Sequence, residues 1–309
     1  MELALVMARA LQFGSAIILL GAPTLRLVLG SALVSASGAR EEIDHWLRRL
    51  MAAAAIVALS SALFWLDLEA VIMGDGWDQA VDGETIASVL LLTTFGHAWI
   101  WHLAFAVLLL LALLLPPRQL GRRRTAAIAG LSAGLVASLA WAGHAVMQPG
   151  MMRVTVQVIH LLAAGLWLGS LPVLLFLLGR ARQNDDRIWR DALRQLLPRY
   201  SRVGYVVVAT ILLTGSLNTS FLVGSPAALV TTEFGQVLLL KVGIVLLMVV
   251  VAGVNRLRLV PEIRGRGTRE DVESSLAALA RNVVVEQALG ALAVVAVSVL
   301  GTLPPALAP

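Results

Sequence analysis

The chain is a succession of long apolar runs separated by short polar intervals. A helix needs about 20 apolar residues to cross the hydrocarbon core of a bilayer. Eight runs reach that length, at approximately 3–22, 50–72, 96–116, 125–147, 152–178, 201–223, 235–257 and 277–303. The apolar stretch from Ile86 to Leu115 is too long for one span, which predicts a separate interfacial helix at 85–94. The pattern therefore predicts an all-α polytopic membrane protein with eight transmembrane helices.

Composition agrees with this class and excludes several others. Of 309 residues, 59% are hydrophobic and only 14% are charged, which is too little polar surface for a soluble globule of this size. The net charge of +5 does not indicate nucleic-acid binding, because the arginines separate apolar runs and form no basic face. No phosphate-binding glycine motif follows a strand-like run, so nucleotide-driven pumping has no support. No serine–histidine or paired-carboxylate arrangement indicates an enzyme.

The N-terminus indicates the first membrane helix, and the cysteine count limits the possible metal ligands. The segment MELALVMARALQFGSAIILLGA lacks the basic region and cleavage site of a secretory signal, which favours a first membrane helix. The chain has no cysteine, so disulfides and thiolate metal sites are excluded. Any metal must be bound by histidine, methionine or carboxylate side chains.

The distribution of basic residues predicts the orientation. All but three of the 24 lysines and arginines lie in four alternate loops, which the positive-inside rule assigns to the cytoplasm. Both termini are then periplasmic. The connection from Asp67 to Phe95 faces outward in this orientation and holds six acidic residues without a lysine or arginine. Such a loop attracts cations, or it is simply a solvated connection.

Two histidines stand out in residues 141–171, where two predicted spans meet at a Pro-Gly turn. Hydrocarbon offers an imidazole no partner, so intramembrane histidines are functional candidates. Methionines crowd the same turn, and a mixture of thioether and imidazole suits copper, as Cu(I) or Cu(II). Alternatively, the methionines are apolar filler and each histidine bonds a neighbouring helix. The candidate ligands are His144, His160, Met147 and Met151, with Met152 beside them.

Their spacing predicts a relay of two sites. His144 and Met147 share one helical face, whereas His160 lies roughly 12 Å inward from the outer end of its helix. We therefore expect an outer His144/Met147 site that passes metal inward to His160. His97 and His102, near the start of the third span, are further candidates.

Three charges lie inside the apolar runs, namely Arg9, Lys241 and Glu286. Arg9 and Lys241 would avoid the hydrocarbon if their long side chains extended to the outer interface and placed the charged groups in water. Glu286 is either an exit-side or proton-linked carboxylate, or the partner of a basic neighbour such as Arg281. Small residues are predicted to let helices approach closely; among them are the glycines at 143, 165, 169, 215 and 243.

The segment GHA at 143–145, followed by IHLLAAGLWLGSL at 159–171, resembles the signature of the CopD family of bacterial copper-resistance membrane proteins. The resemblance continues in order through YSRVGYVVVATILLTGSLN (200–218), EFGQVLLLKVGIVLL (233–247), NRLRLVPEI (255–263) and RNVVVEQALGALAVVAVSVLGTLPPA (281–306). It covers most of the chain beyond residue 90. It implies one transmembrane domain over 1–309, with metal-site helices at about 96–178 and C-terminal helices at about 200–303.

The resemblance also implies a function. Proteins of this family take copper from the periplasmic side of the bacterial inner membrane and move it toward the cytoplasm, and a soluble periplasmic carrier of CopC type is the implied partner. His144 and His160 match motif positions. Two alternative functions remain open. One is a b-type haem or quinol-linked electron carrier with histidines on facing helices, and the other is a copper sensor that does not transport.

Overall fold

The structure, a computed structural model, describes residues 1–30, 37–116, 120–143, 150–183, 187–265 and 269–307. Its α-helices in chain order are α1 (Glu2–Leu29), α2 (Ser37–Gly74), α3 (Gly83–Leu92), α4 (Thr94–Leu114), α5 (Arg122–Ser138), α6 (Met151–Leu168), α7 (Leu171–Gln183), α8 (Arg187–Leu222), α9 (Ala228–Thr231), α10 (Glu233–Val254), α11 (Val260–Arg264) and α12 (Arg269–Leu300). Short 3₁₀ turns occupy Trp77–Val81 and Leu139–Ala142, and a π-helical turn at Asn255–Leu259 joins α10 to α11.

Eight helical segments in this part of the chain are long and apolar enough to cross a membrane. They are α1, α2, α4, α5 with its 3₁₀ turn, α6 with α7, α8, α10 with α11, and α12. The prediction of an all-α bundle with eight spans is therefore confirmed. The extra helix expected at 85–94 is also present, as α3.

Two helices extend well beyond the apolar runs that predicted them. Helix α2 begins at Ser37 and α8 at Arg187, because each extension is amphipathic and buries one side. Ile43 and Leu47 are fully buried in α2, while Trp189 is 2% exposed in α8. Charged residues on the opposite side of each extension interrupt the apolar run, so the runs alone did not predict these helical turns. We call this end of the bundle the arginine-rich end.

Helix α1 lies at the centre of the bundle, where it packs against α2, α5, α6 and α12. It begins at the same end of the bundle at which α12 finishes, since the Arg9 guanidinium packs directly against the backbone of Gly301. We call this the terminal end.

The fifth predicted span, 152–178, is divided at Gly169 and Ser170 into α6 and α7. Here α1 and α6 approach backbone to backbone. A Cβ atom on Gly169 would overlap the carbonyl oxygen of Ile17, and one on Gly21 would overlap the backbone of Gly169. The expectation of a close approach at this small-residue stripe is confirmed.

The other glycines of that prediction differ from one another in how closely they are packed. A Cβ atom on Gly165 would lie 2.8 Å from a methyl carbon of Leu20, again a tight contact. At Gly143 and Gly243, no described atom of a neighbouring element lies within 4 Å of a Cβ position, so the described structure does not show the expected close approach at these two. Gly243 belongs to α10, whose neighbouring side chains largely face the lipid.

Candidate metal site

His160 lies on α6 and is held in one orientation by α8. Its Nδ1 is 2.9 Å from the hydroxyl oxygen of Thr214, and that hydroxyl donates to the carbonyl of Thr210 at 2.6 Å. Because the single threonine proton is already used, the imidazole Nδ1–H donates to Thr214. The lone pair of Nε2 is left without a hydrogen-bond partner among the described residues, which is the state that a metal-binding imidazole requires.

Three cavities meet at His160. The outer cavity, of about 120 Å³, opens at the terminal end and is also lined by Gln157 and Asn218, whose amides hydrogen bond to each other at 2.9 Å. The inner cavity, of about 80 Å³, continues inward between α1, α6, α8, α10 and α12 and is lined by Met248 and Trp167. A lateral groove of about 380 Å³ runs between α8 and α10. His160 therefore stands at a junction between the bundle end and its interior.

Met248 is a candidate soft ligand that the sequence did not single out. It is 2% exposed and lines the inner cavity together with His160. An imidazole and a thioether on one cavity are donors that favour copper. Met248 lies in a continuous apolar run, so no sequence pattern marks it as a ligand. Thr214 could have been noticed as a hydroxyl inside a predicted span, but the sequence does not indicate that it contacts His160.

A polar cluster lies beyond the inner cavity, toward the arginine-rich end. The Glu286 carboxylate is 3% exposed and accepts hydrogen bonds from the indole of Trp167 at 3.2 Å and from the amide of Asn255 at 2.6 Å. Asn282 donates to the Asn255 side chain at 2.7 Å. Asn255 begins the π-helical turn, a distortion frequent at functional sites. Among the described residues, the hydrogen-bond donors to Glu286 are thus neutral and do not include Arg281, while Arg256 lines the same small cavity and attracts the carboxylate electrostatically.

His102 lies in a different, closed network. The Gln12 amide is 2.7 Å from Nε2, and Nδ1 is 2.8 Å from the hydroxyl of Ser138, which itself donates to the carbonyl of Leu135 at 2.7 Å. The histidine is fully buried, and both ring nitrogens are occupied. His102 therefore has a structural role, since its two hydrogen bonds connect α4 to α1 and α5.

The remaining candidates are scattered or undescribed. His97 is exposed and its Nε2 hydrogen bonds to the carbonyl of Leu91 at 2.8 Å. Met151, at the start of α6, is 78% exposed and lines none of the cavities at His160. His144 and Met147 lie outside the described residues, although Gly143, directly before them, lines the outer cavity. No group of three or more His, Cys, Asp or Glu residues suited to a metal occurs among the residues with described positions.

Two family models match successive parts of the chain. Residues 1–154 match the family described as "Copper resistance protein D-like, N-terminal domain", and residues 194–300 match "Copper resistance protein D". Inner membrane protein YebZ of Escherichia coli (strain K12) is 33% identical over 289 residues, which cover 91% of this chain and 94% of that protein. No solved structure matches.

Two further relatives carry copper in their names. Copper resistance protein D of Pseudomonas syringae pv. tomato is 28% identical over 268 residues, which cover 84% of each chain. Copper transport protein CutJ of Bacillus subtilis (strain 168) is 30% identical over 190 residues, which cover 59% of this chain and 34% of that protein. The chain is therefore a multi-pass inner-membrane protein that belongs to the copper resistance protein D family.

Proposed function

We propose that this protein takes copper from the periplasmic side of the membrane and passes it toward the cytoplasm through the cavities at His160. The observation that carries the proposal is the position of His160, whose Nε2 has no partner among the described residues, at the junction of the outer and inner cavities. Relatives named for copper resistance and copper transport support copper as the cargo.

The charges around His160 favour Cu(I) over Cu(II). Arg9, Arg153 and Lys241 line the outer cavity, and none of its described lining residues is acidic. Coulomb repulsion scales with the charge of the ion, so a singly charged cation is opposed half as strongly as a doubly charged one. The thioether of Met248 on the inner cavity also favours the softer Cu(I).

Glu286 supplies the next position on the route. Trp167 lines both the inner cavity and a smaller, deeper cavity of about 20 Å³ that contains Glu286 and Asn255. A carboxylate there would attract the cation after it leaves His160. His144 and Met147 precede His160 as the entry site in this proposal, and a soluble copper carrier of CopC type delivers the metal to them.

The direction of transport depends on an orientation with the arginine-rich end in the cytoplasm, which cysteine labelling tests. The chain has no native cysteine, and Asp78, Arg122 and Arg187 are all exposed. We expect Asp78→Cys to react with an impermeant maleimide in intact spheroplasts, and Arg122→Cys and Arg187→Cys to react only after permeabilisation. Labelling of Arg187→Cys in intact spheroplasts would reverse the proposed direction.

Net uptake distinguishes a transporter from a copper sensor. Proteoliposomes containing the wild-type chain should accumulate Cu(I) above the level of empty liposomes, and Glu286→Gln should bind Cu(I) at His160 but accumulate it more slowly, because the inner attraction is weakened. Tight binding without accumulation would support a sensor. A Soret band in the purified protein would support the haem alternative, which needs two facing histidines; His160 is the sole histidine among the described residues lining its three cavities.

A further inference from the structure

The three basic residues that lie outside the arginine-rich loops converge on one place. Arg9 of α1, Arg153 of α6 and Lys241 of α10 are far apart in sequence, and all three line the outer cavity. None of the cavity's described lining residues is acidic, and the adjoining undescribed segment 144–149 contains no Asp or Glu. The described wall of the cavity therefore carries three basic side chains and no carboxylate.

Arg9 is the most deeply buried of the three. Its side chain is 6% exposed, its guanidinium carbon lies 4.6 Å from the ring centre of Trp65, and its Nε is buried without a hydrogen-bond partner. Glu69 attracts it electrostatically but accepts instead from the Trp65 indole at 2.9 Å, and the two form no ion pair within 4.0 Å in the described structure. The expectation that Arg9 snorkels into water was wrong, because the guanidinium is enclosed by protein.

The other two cations also keep donors available. The ammonium of Lys241 has no hydrogen bond or ion pair with any described residue, and Lys241 lines all three cavities that meet at His160. Arg153 uses one nitrogen to donate to the carbonyl of Phe221 at 3.1 Å, and its guanidinium carbon lies 4.9 Å from the ring centre of the same residue. Its other nitrogens have no hydrogen-bond partner among the described residues, which leaves them to a ligand in the cavity.

Withdrawing a cation from water without a counter-charge in contact with it is costly, and a matching anion reduces that cost. We propose that the outer cavity binds an oxyanion, namely a phosphate group. Guanidinium and ammonium groups form short charge-assisted hydrogen bonds with such oxygens, and the amides of Gln157 and Asn218 add neutral donors on the same wall. The volume of about 120 Å³ accommodates a group of this size. The oxyanion is either free in solution or the headgroup of an anionic lipid that enters through the lateral groove.

Copper-free protein in a nonionic detergent tests this inference separately from copper transport. Inorganic phosphate is titrated at constant ionic strength, and binding is measured by calorimetry and by the shift in melting temperature. In parallel, native mass spectrometry compares one-to-one adducts of phosphatidylglycerol and phosphatidylcholine. We expect binding in one of these arms, and we expect Lys241→Met and Arg153→Met each to weaken it at least tenfold. Arg202→Met is the matched control, since Arg202 is exposed and lies on α8 toward the arginine-rich end.

Each outcome decides the question. Phosphate binding that both cavity variants weaken assigns the site to a free oxyanion. A phosphatidylglycerol adduct lost in the same variants, with no phosphate binding, assigns it to a lipid headgroup. Arg153 is half-buried at the cavity wall, so Arg153→Met provides a result even if Lys241→Met fails to fold. Absence of both ligands, or binding that Arg202→Met weakens as much as the cavity variants do, overturns the proposal.

Discussion

Replacing His160 by alanine is expected to abolish high-affinity Cu(I) binding. The imidazole is the one side chain in the described structure that lines the outer cavity, the inner cavity and the lateral groove with its metal-binding nitrogen unoccupied. Loss of an outer-shell partner typically costs 10- to 100-fold in metal affinity, so loss of the ligand itself should cost more than about 100-fold. Competition with a chromophoric Cu(I) chelator measures the affinity directly.

Three further substitutions test whether His160 binds the metal or only packs in the bundle. Thr214→Val keeps the side-chain volume but removes the oxygen that accepts from Nδ1–H, and it should weaken Cu(I) by about 10- to 100-fold. Met248→Leu should weaken Cu(I) more than Cu(II), because it replaces a soft sulfur with carbon. His97→Ala serves as the control and should bind normally. Unchanged affinity in His160→Ala would remove this site from the proposal and leave the undescribed His144 and Met147 as the remaining sequence candidates.

Gly169→Ala is expected to be the most damaging small substitution in the bundle. A methyl group there overlaps the carbonyl oxygen of Ile17, and backbone atoms cannot move aside as a flexible side chain can. Overpacking of a filled core typically costs 1–3 kcal/mol, and we expect the upper part of that range, about 3 kcal/mol. The melting temperature of protein purified in detergent reports the loss.

Gly243→Ala is the matched control for this substitution. It is also a helical Gly→Ala change inside a span, but no described atom of another element lies within 4 Å of the new methyl group. Such a replacement is neutral or stabilises by up to about 1 kcal/mol, because alanine lowers the entropy of the unfolded chain. Equal melting temperatures for the two variants would contradict the close backbone contact between α1 and α6.

The spans were predictable because hydropathy alone determines which segments enter a bilayer. The amphipathic starts of α2 and α8 were not, since their charged residues broke the apolar runs while Leu47 and Trp189 packed inside. The close approach at Gly169 followed from a stripe of small residues, yet the same reasoning failed at Gly243. A small residue permits contact but does not require it.

The site was predicted in part, for a similar reason. His160 was recognised as an imidazole in an apolar run, and the same criterion selected His102. The structure distinguishes the two by partners distant in sequence: Gln12 and Ser138 occupy both nitrogens of His102, whereas Thr214 occupies one nitrogen of His160. The convergence of Arg9, Arg153 and Lys241 likewise depends on how α1, α6 and α10 pack, which no local pattern reveals.

The lateral groove makes the surrounding bilayer part of the environment of His160. Its rim carries Leu212, Leu239 and Leu246, which are 41%, 42% and 50% exposed, so we expect acyl chains of the bilayer to close the gap between α8 and α10. Lipid chain length and saturation then affect how well water is excluded from the imidazole, and with it the strength of every electrostatic interaction there. A lipid-soluble chelator reaches this position directly from the membrane, whereas a polar chelator has to enter from the terminal end.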